Sequence, residues 1–383
     1  MPLMTIARQW GRIGCIGFGG PPAHIALLRA LCVDRNGWLT HDEFEDGIAA
    51  TNLLPGPAST HLAILCAWRL RGARGALVGG LCFIVPGLVA ILVLSVLFFA
   101  PHAPLWVRGG AAGAGAAVPA VALSAALNLL PGSWRRIGGA AAGRIRWVVF
   151  LALGALSAAL VGPWLVLVLV SCGVLEATLR APRRSGPDGR RHGALPIGVV
   201  PVVAAGGMSA LAWVALKVGM LSYGGGFVIV PLMQHDAVHT YHWMTAGQFL
   251  DAVALGQITP GPVVQTVAVV GYAASGIVGG LVAAFVAFAP SFVFVLVGGP
   301  RFDRLRSNTW AQGFLTGAGA ASLGAIAGSA VPLALALSYL WQVGVLAAAA
   351  VWLLSLRRGV VWALVGAAVI GVAGAFIGLP PPA

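Results

Sequence analysis

The chain has 383 residues, 59% hydrophobic and only 9% charged, with 54 glycines and a formal net charge of +13. Soluble domains carry roughly a quarter charged residues, so this composition excludes an ordinary soluble enzyme. The basic residues fall in short loops between apolar runs, which excludes a nucleic-acid-binding domain and reads instead as cytoplasmic loop charge. Apolar runs at 75–100, 109–130, 147–179, 279–300, 313–340 and 359–379 reach the length of a spanning helix or hold more than one span. The chain reads as an all-α polytopic membrane protein.

In chain order, a short helix is predicted over residues 5–17, then a break at Phe18-Gly19-Gly20-Pro21-Pro22, then a second short helix to Leu31. The first 20 residues lack a clean apolar core ahead of a small-residue cleavage site, so no cleaved leader is expected. Asp34 to His41 is polar, and Thr40-His-Asp-Glu43 is a capping-box pattern opening the next helix. That helix meets Asn52-Leu-Leu-Pro55-Gly56-Pro57-Ala-Ser59-Thr60-His61. Leu54 and Gly56 each precede a proline and are pushed out of the α region. The helix is therefore expected to stop near Leu53 and a new one to begin at Pro57. Its free N–H groups, on Ala58, Ser59 and Thr60, form a ready anion site. Inside a membrane such a break is tolerated only where protein or a polar cavity satisfies it.

Residues 58–68 are predicted helical, with a loop at Arg69, Arg71 and Arg74. Four apolar spans follow, separated near 101–108, 131–146 and 162–163. A basic stretch then divides the chain into an N-terminal repeat (1–179), a cytoplasmic linker (180–195) and a C-terminal repeat (196–383).

The second half repeats the first. At an offset of 205, Gly19-Gly20 matches Gly224-Gly225, Trp38 matches Trp243, Thr40 matches Thr245, Asp46 matches Asp251 and Pro55-Gly56-Pro57 matches Pro260-Gly261-Pro262. One residue is then lost, and Gly113–Ala117 matches Gly317–Ala321. Equivalent loops differ in charge. Arg69–Arg74 has a counterpart near 272–278 without a basic residue, while the loop at 101–108 corresponds to one with Arg301, Arg304 and Arg306. By the positive-inside rule, equivalent loops face opposite sides, which favours an inverted repeat with 69–74, 131–146, 180–194 and 301–306 cytoplasmic.

The candidate substrate site follows from the breaks. Two half-helix N-termini aimed at one midplane anion are a known device of inverted-repeat transporters. Gly56 and Gly261 centre the breaks. Gly19, Gly20, Gly224 and Gly225 let backbone approach a ligand, or another helix. Asn52, Ser59, Thr60, Gln257, Gln265 and Thr266 offer neutral donors suited to a tetrahedral oxyanion, or caps for nearby backbone. His24 and His61 adjoin the two breaks of the first half, and an imidazole there can donate to an oxyanion. Asp46 and Asp251 are proton-coupling candidates, since intramembrane carboxylates often mark ion pathways; Asp46 also reads as a surface residue. Arg29, Arg69, Arg71 and Lys217 read as anion attractors at the entrances, or as topology and lipid contacts.

His235, Asp236, His239 and His242 lack a closed four-ligand pattern and read as a solvated loop, not a metal site. The five scattered cysteines form no metal-spaced pair and read as packing residues. No P-loop, catalytic triad pattern or haem motif occurs, so neither an enzyme nor a cofactor is expected.

Phe18-Gly-Gly-Pro-Pro-Ala-His24-Ile, Asn52-Leu-Leu-Pro-Gly-Pro-Ala-Ser-Thr60, Ser222-Tyr-Gly-Gly-Gly-Phe-Val-Ile-Val-Pro231 and Gln257-Ile-Thr-Pro-Gly-Pro262 resemble, in order, the motifs of the chromate ion transporter family. Length and duplication resemble its two-domain, long-chain form. The resemblance implies chromate efflux across the cytoplasmic membrane and chromate resistance, with sulfate as the chemical look-alike. The expected partners are a small inorganic oxyanion and the lipid bilayer, with a homodimer left open and no nucleic acid. Alternatives are an importer of sulfate or a related oxyanion, an oxyanion channel of the same fold, and a non-transporting scaffold.

Overall fold

The computed structural model describes residues 1–52, 54–135, 137, 141–160, 165–180, 207–222, 227–298 and 308–380. Among these there are helices and no strands. The basic linker, Gly224-Gly225 and the Arg301–Arg306 loop lie outside the described residues.

The first half opens with α1 (Leu3–Ile16) and α2 (Pro21–Arg29), which continues as a π turn to Arg35. α3 (His41–Thr51) starts on the expected capping box, with Thr40 and Glu43 each bonding the other's backbone N–H. α4 (Ala58–Phe98) follows the Pro-Gly-Pro break. The loop expected at Arg69–Arg74 is tighter than that: a two-residue reversal at Arg71 and Gly72, the latter at φ +57°. Only glycine takes such a conformation cheaply.

α3 and the first part of α4 form a hairpin whose tip is the break. A Cβ at Gly47 of α3 would lie 3.4 Å from Leu62 Cδ1 and 3.6 Å from Arg69 Nη1. Arg69 donates to the Glu43 carbonyl at the base. Past the reversal, α4 carries Leu77, Leu81, Val85, Val89, Val93 and Leu97 exposed at four-residue spacing, an apolar stripe turned to lipid. α5 (Leu105–Arg135), α6 (Ala141–Leu160) and α7 (Leu165–Arg180) complete the half.

The second half repeats the order with α8 (Met208–Leu221), α9 (Ile229–Gln234), α10 (Ala246–Ile258), α11 (Thr266–Gly298), α12 (Thr309–Leu335), α13 (Leu340–Ala350) and α14 (Val360–Phe376). α10 begins on the second capping box, Thr245 with Gln248. α11 reverses at Ser275 and Gly276, the latter at φ +63°. Among the described residues, five helices are long and apolar enough to cross a membrane.

The halves interlock. α12 packs on α5, α6 and α7, α4 packs on α11, and α5 packs on α10 and α14. Small residues make the approaches close: Gly154 abuts the Ala321 backbone and Gly113 abuts Gly371, as expected where no water drives helices together. α4 and α11 lie with opposed ends together. Trp68 and Ala76 cluster with Val295 and Leu296 at one end, and Phe99 meets Tyr272 at 5.8 Å between ring centroids at the other.

Candidate functional site

Two proline-bounded breaks position the site. At the first, Gly56 takes φ +119° and Pro57 stands as N-cap. α4 thus begins at Ala58, one residue later than expected. The Thr60 and His61 N–H groups bond the Pro57 carbonyl at 2.9 and 3.0 Å. Only Ala58 and Ser59 therefore keep N–H groups without an intrahelical partner, two rather than the expected three. At the second break Gly261 takes φ +105°. A 3₁₀ turn, Val263–Gln265, precedes α11, so this N-terminus is more tightly wound than the first.

The breaks meet the ends of α1 and α8 from opposite halves. Gly261 donates its N–H to the Gly17 carbonyl at 2.9 Å. A Cβ at Gly56 would lie 2.9 Å from the Gly219 carbonyl oxygen and 2.9 Å from His61 Cε1. Gly20 lies against Val263, and both Gly19 and Gly20 have positive φ. The glycine-rich turn of the first half is thus packed on the second Pro-Gly-Pro.

The candidate side chains divide into used and unused groups. His24 is buried; its Nε2–H donates to Gly17 O at 2.8 Å, so Nδ1 accepts from the Ser59 hydroxyl at 3.3 Å. These two residues clip α2 to the start of α4. Thr266 donates to Val263 O at 2.9 Å. Gln265 donates through Nε2 to Ile84 O at 2.8 Å, tying the second break to α4. Asn52 is exposed at the end of α3. In contrast, Thr60 Oγ1, both His61 ring nitrogens, Gln257 Nε2 and Gln265 Oε1 are buried without a hydrogen-bond partner among the described residues. Leaving such groups unpaired is costly, and it marks positions where a polar ligand fits. Ser291 Oγ on α11 belongs to the same class. It escaped the sequence reading because nothing near it is a motif; its counterpart is Gly87.

The two aspartates differ. Asp46 is exposed, whereas Asp251 is 5% exposed. Asp251 lines a cavity of about 590 Å³ with Phe99, His102, Arg108 and Gln248. No salt bridge joins Asp251 to Arg108 among the described residues. Gly115 of α5 makes room for the carboxylate; a Cβ there would lie 2.4 Å from Asp251 Oδ1.

Three of the candidate anion attractors are already engaged, Arg69 by the Glu43 carbonyl. Lys217 pairs with Asp236 at 2.5 Å and Arg29 with Glu45 at 3.1 Å. The first pair also ties the stretch His235–Thr240 to α8; the sequence reads this stretch as a solvated loop, but it is a π turn continuing α9, with Asp236 buried.

A family model described as Chromate transporter matches residues 4–177 and again 209–372. A chromate transport protein of Cupriavidus metallidurans is 32% identical over 343 residues, covering 87% of this chain and 82% of that protein. A chromate transport protein of Pseudomonas aeruginosa is 30% identical over 354 residues, again covering 87% and 82%. An uncharacterized transporter of Methanocaldococcus jannaschii is 28% identical over 324 residues, covering 80% and 78%. No solved structure matches the chain.

Proposed function

This chain belongs to the chromate transporter family, and from that premise we propose that it is a secondary transporter exporting chromate across the cell membrane and conferring chromate resistance. One observation carries the site. Two helix N-termini, each at a Pro-Gly-Pro break, stand among buried donors that have no partner among the described residues: the Thr60 hydroxyl, the His61 ring and the Gln257 amide nitrogen. Among the described residues, no buried polar side chain is an arginine or lysine. The dianion is matched by neutral donors and by the helix ends, each equivalent to roughly half a positive charge.

The halves are read as an inverted repeat. The opposed packing of α4 and α11 supports this, and so does the cavity that joins the α4–α5 loop to the start of α10. The arginine-rich reversal at Arg71 is then cytoplasmic and the reversal at Ser275 lies outside. Direction follows from charge. An inside-negative potential moves a dianion outward with about 4.6 kcal/mol per 100 mV, roughly a 2000-fold gradient. Asp251, buried and bordering the outer cavity, is the candidate for a coupled proton.

Everted membrane vesicles test the proposal. With the protein present they accumulate radiolabelled chromate, unlabelled sulfate competes, and an imposed inside-positive potential speeds uptake. Accumulation in right-side-out vesicles alone would make the protein an importer instead. Non-saturable flux with single-channel currents would make it a channel.

A further inference from the structure

We infer that the two breaks are unequal, and that the oxyanion is held at the first one by Thr60, His61 and Ser291, the last reaching across from the second half. This rests on reading the breaks as the oxyanion site. The argument is one of donors, because an oxyanion accepts hydrogen bonds and only an unused O–H or N–H serves it.

The side-chain donors at the start of the helix that begins at the second break are engaged. The Gln265 amide nitrogen donates to Ile84 O, and the atom it leaves unpartnered is Oε1, an acceptor that an anion avoids. The Thr266 hydroxyl donates to Val263 O. Gly87 closes the position: a Cβ there would lie 2.0 Å from Pro260 O and 2.5 Å from Gln265 Oε1. Gln257 Nε2 is unused, but it stands in the last turn of α10, where the dipole disfavours an anion. Gln265 is thus a tie between the halves.

The first break is the reverse. Thr60 and His61 are fully buried, and Thr60 Oγ1 and both imidazole nitrogens have no partner among the described residues. The ring faces the bend, since a Cβ at Gly56 would lie 3.1 Å from His61 Nε2. Pro86-Gly87 of α4 corresponds to Pro290-Ser291 of α11 at the offset of 204 that relates Gly113 to Gly317. Where the second break meets a glycine, the first therefore meets a serine. Ser291 sits one turn before Phe294, whose ring meets the His61 ring at 6.2 Å between centroids. Val295 on the same stretch clusters with Leu54 and Ile64, on either side of the break. Ser95, Ser222 and Ser329 all donate to their own preceding turn. Ser291 does not: its hydroxyl is buried with no partner among the described residues, a state shared by Ser157 on α6 and Ser322 on α12. Thr60, His61 and Ser291 supply a hydroxyl, an imidazole N–H and a second hydroxyl at one helix N-terminus.

The test is equilibrium binding of chromate to the purified full chain, with melting temperature followed in parallel. Ser291→Ala and Thr60→Val each weaken binding about ten-fold or more, the order expected for losing a hydrogen bond to a charged group. Ser291→Thr keeps the hydroxyl and retains binding, which separates loss of the donor from loss of packing. Gln265→Met lowers the melting temperature and leaves affinity within about two-fold. Wild-type affinity in Ser291→Ala would overturn the assignment alone. So would a loss in Gln265→Met as large as that in Ser291→Ala at unchanged melting temperature. A wild-type protein that binds neither chromate nor sulfate would sink the proposed function itself.

Discussion

Replacing Gly56 with alanine separates a binding site from a mere kink. The residue sits at φ +119°, and holding a non-glycine residue in a sparsely populated region costs about 1–3 kcal/mol. The added methyl meets the Gly219 carbonyl oxygen and His61 Cε1, both 2.9 Å from the ideal Cβ position. A backbone oxygen gives way poorly, and overpacking of this kind adds about 1–3 kcal/mol. The sum is about 2–6 kcal/mol. Gly261→Ala carries the same backbone strain at φ +105°, but its nearest neighbour is the Gln265 amide at 3.1 Å, the far end of a side chain. It is therefore expected to cost about 1–3 kcal/mol, the backbone part alone. The assay is thermal melting in detergent together with chromate binding. Gly56→Ala should melt lower than Gly261→Ala and lose chromate binding, because the methyl displaces the His61 ring. If Gly56→Ala melts and binds like wild type, or if Gly261→Ala is the more damaging, the reasoning fails.

Asp251→Asn should abolish pH-gradient-driven export while sparing anion-for-anion exchange; an unchanged pH dependence would leave Asp251 without a role in coupling. Gly115→Ala places a methyl 2.4 Å from the Asp251 carboxylate and should reproduce the Asp251→Asn flux phenotype in part, whereas wild-type coupling would show that the carboxylate moves freely. In a cysteine-free background, Arg71→Cys should resist an impermeant thiol reagent applied outside and Ser275→Cys should react; equal labelling would remove the inverted repeat.

Much of the backbone plan was legible in sequence, for local reasons. Proline at 55, 57, 260 and 262 dictates where helices stop, and Thr40-Glu43 and Thr245-Gln248 dictate where two of them start. These are short-range effects that a motif carries whole. The reversals at Arg71-Gly72 and Ser275-Gly276 were less legible. A basic run reads as an ordinary loop, and a single positive-φ glycine inside an apolar run leaves no trace in periodicity. Which polar residues are spent on the protein itself was not legible at all. Ser59 and Thr60 are neighbours of similar chemistry, yet the Ser59 hydroxyl meets His24 while that of Thr60 has no hydrogen-bond partner among the described residues. That difference depends on how α2 packs against α4. Ser291 is hidden for the same reason, being a serine in an apolar helix whose neighbourhood exists only once α11 lies against the first break.

The central claim is that the oxyanion sits at the paired breaks, on the side of the first. Crystals of the protein soaked in chromate, measured at the chromium absorption edge, locate the metal centre directly by anomalous scattering. The account predicts a peak within hydrogen-bonding reach, about 3–4 Å from chromium to donor, of Thr60 Oγ1, the His61 ring and Ser291 Oγ. A peak confined to the cavity beside Arg108 and Asp251, or beside Gln265 with none at Thr60, would contradict it.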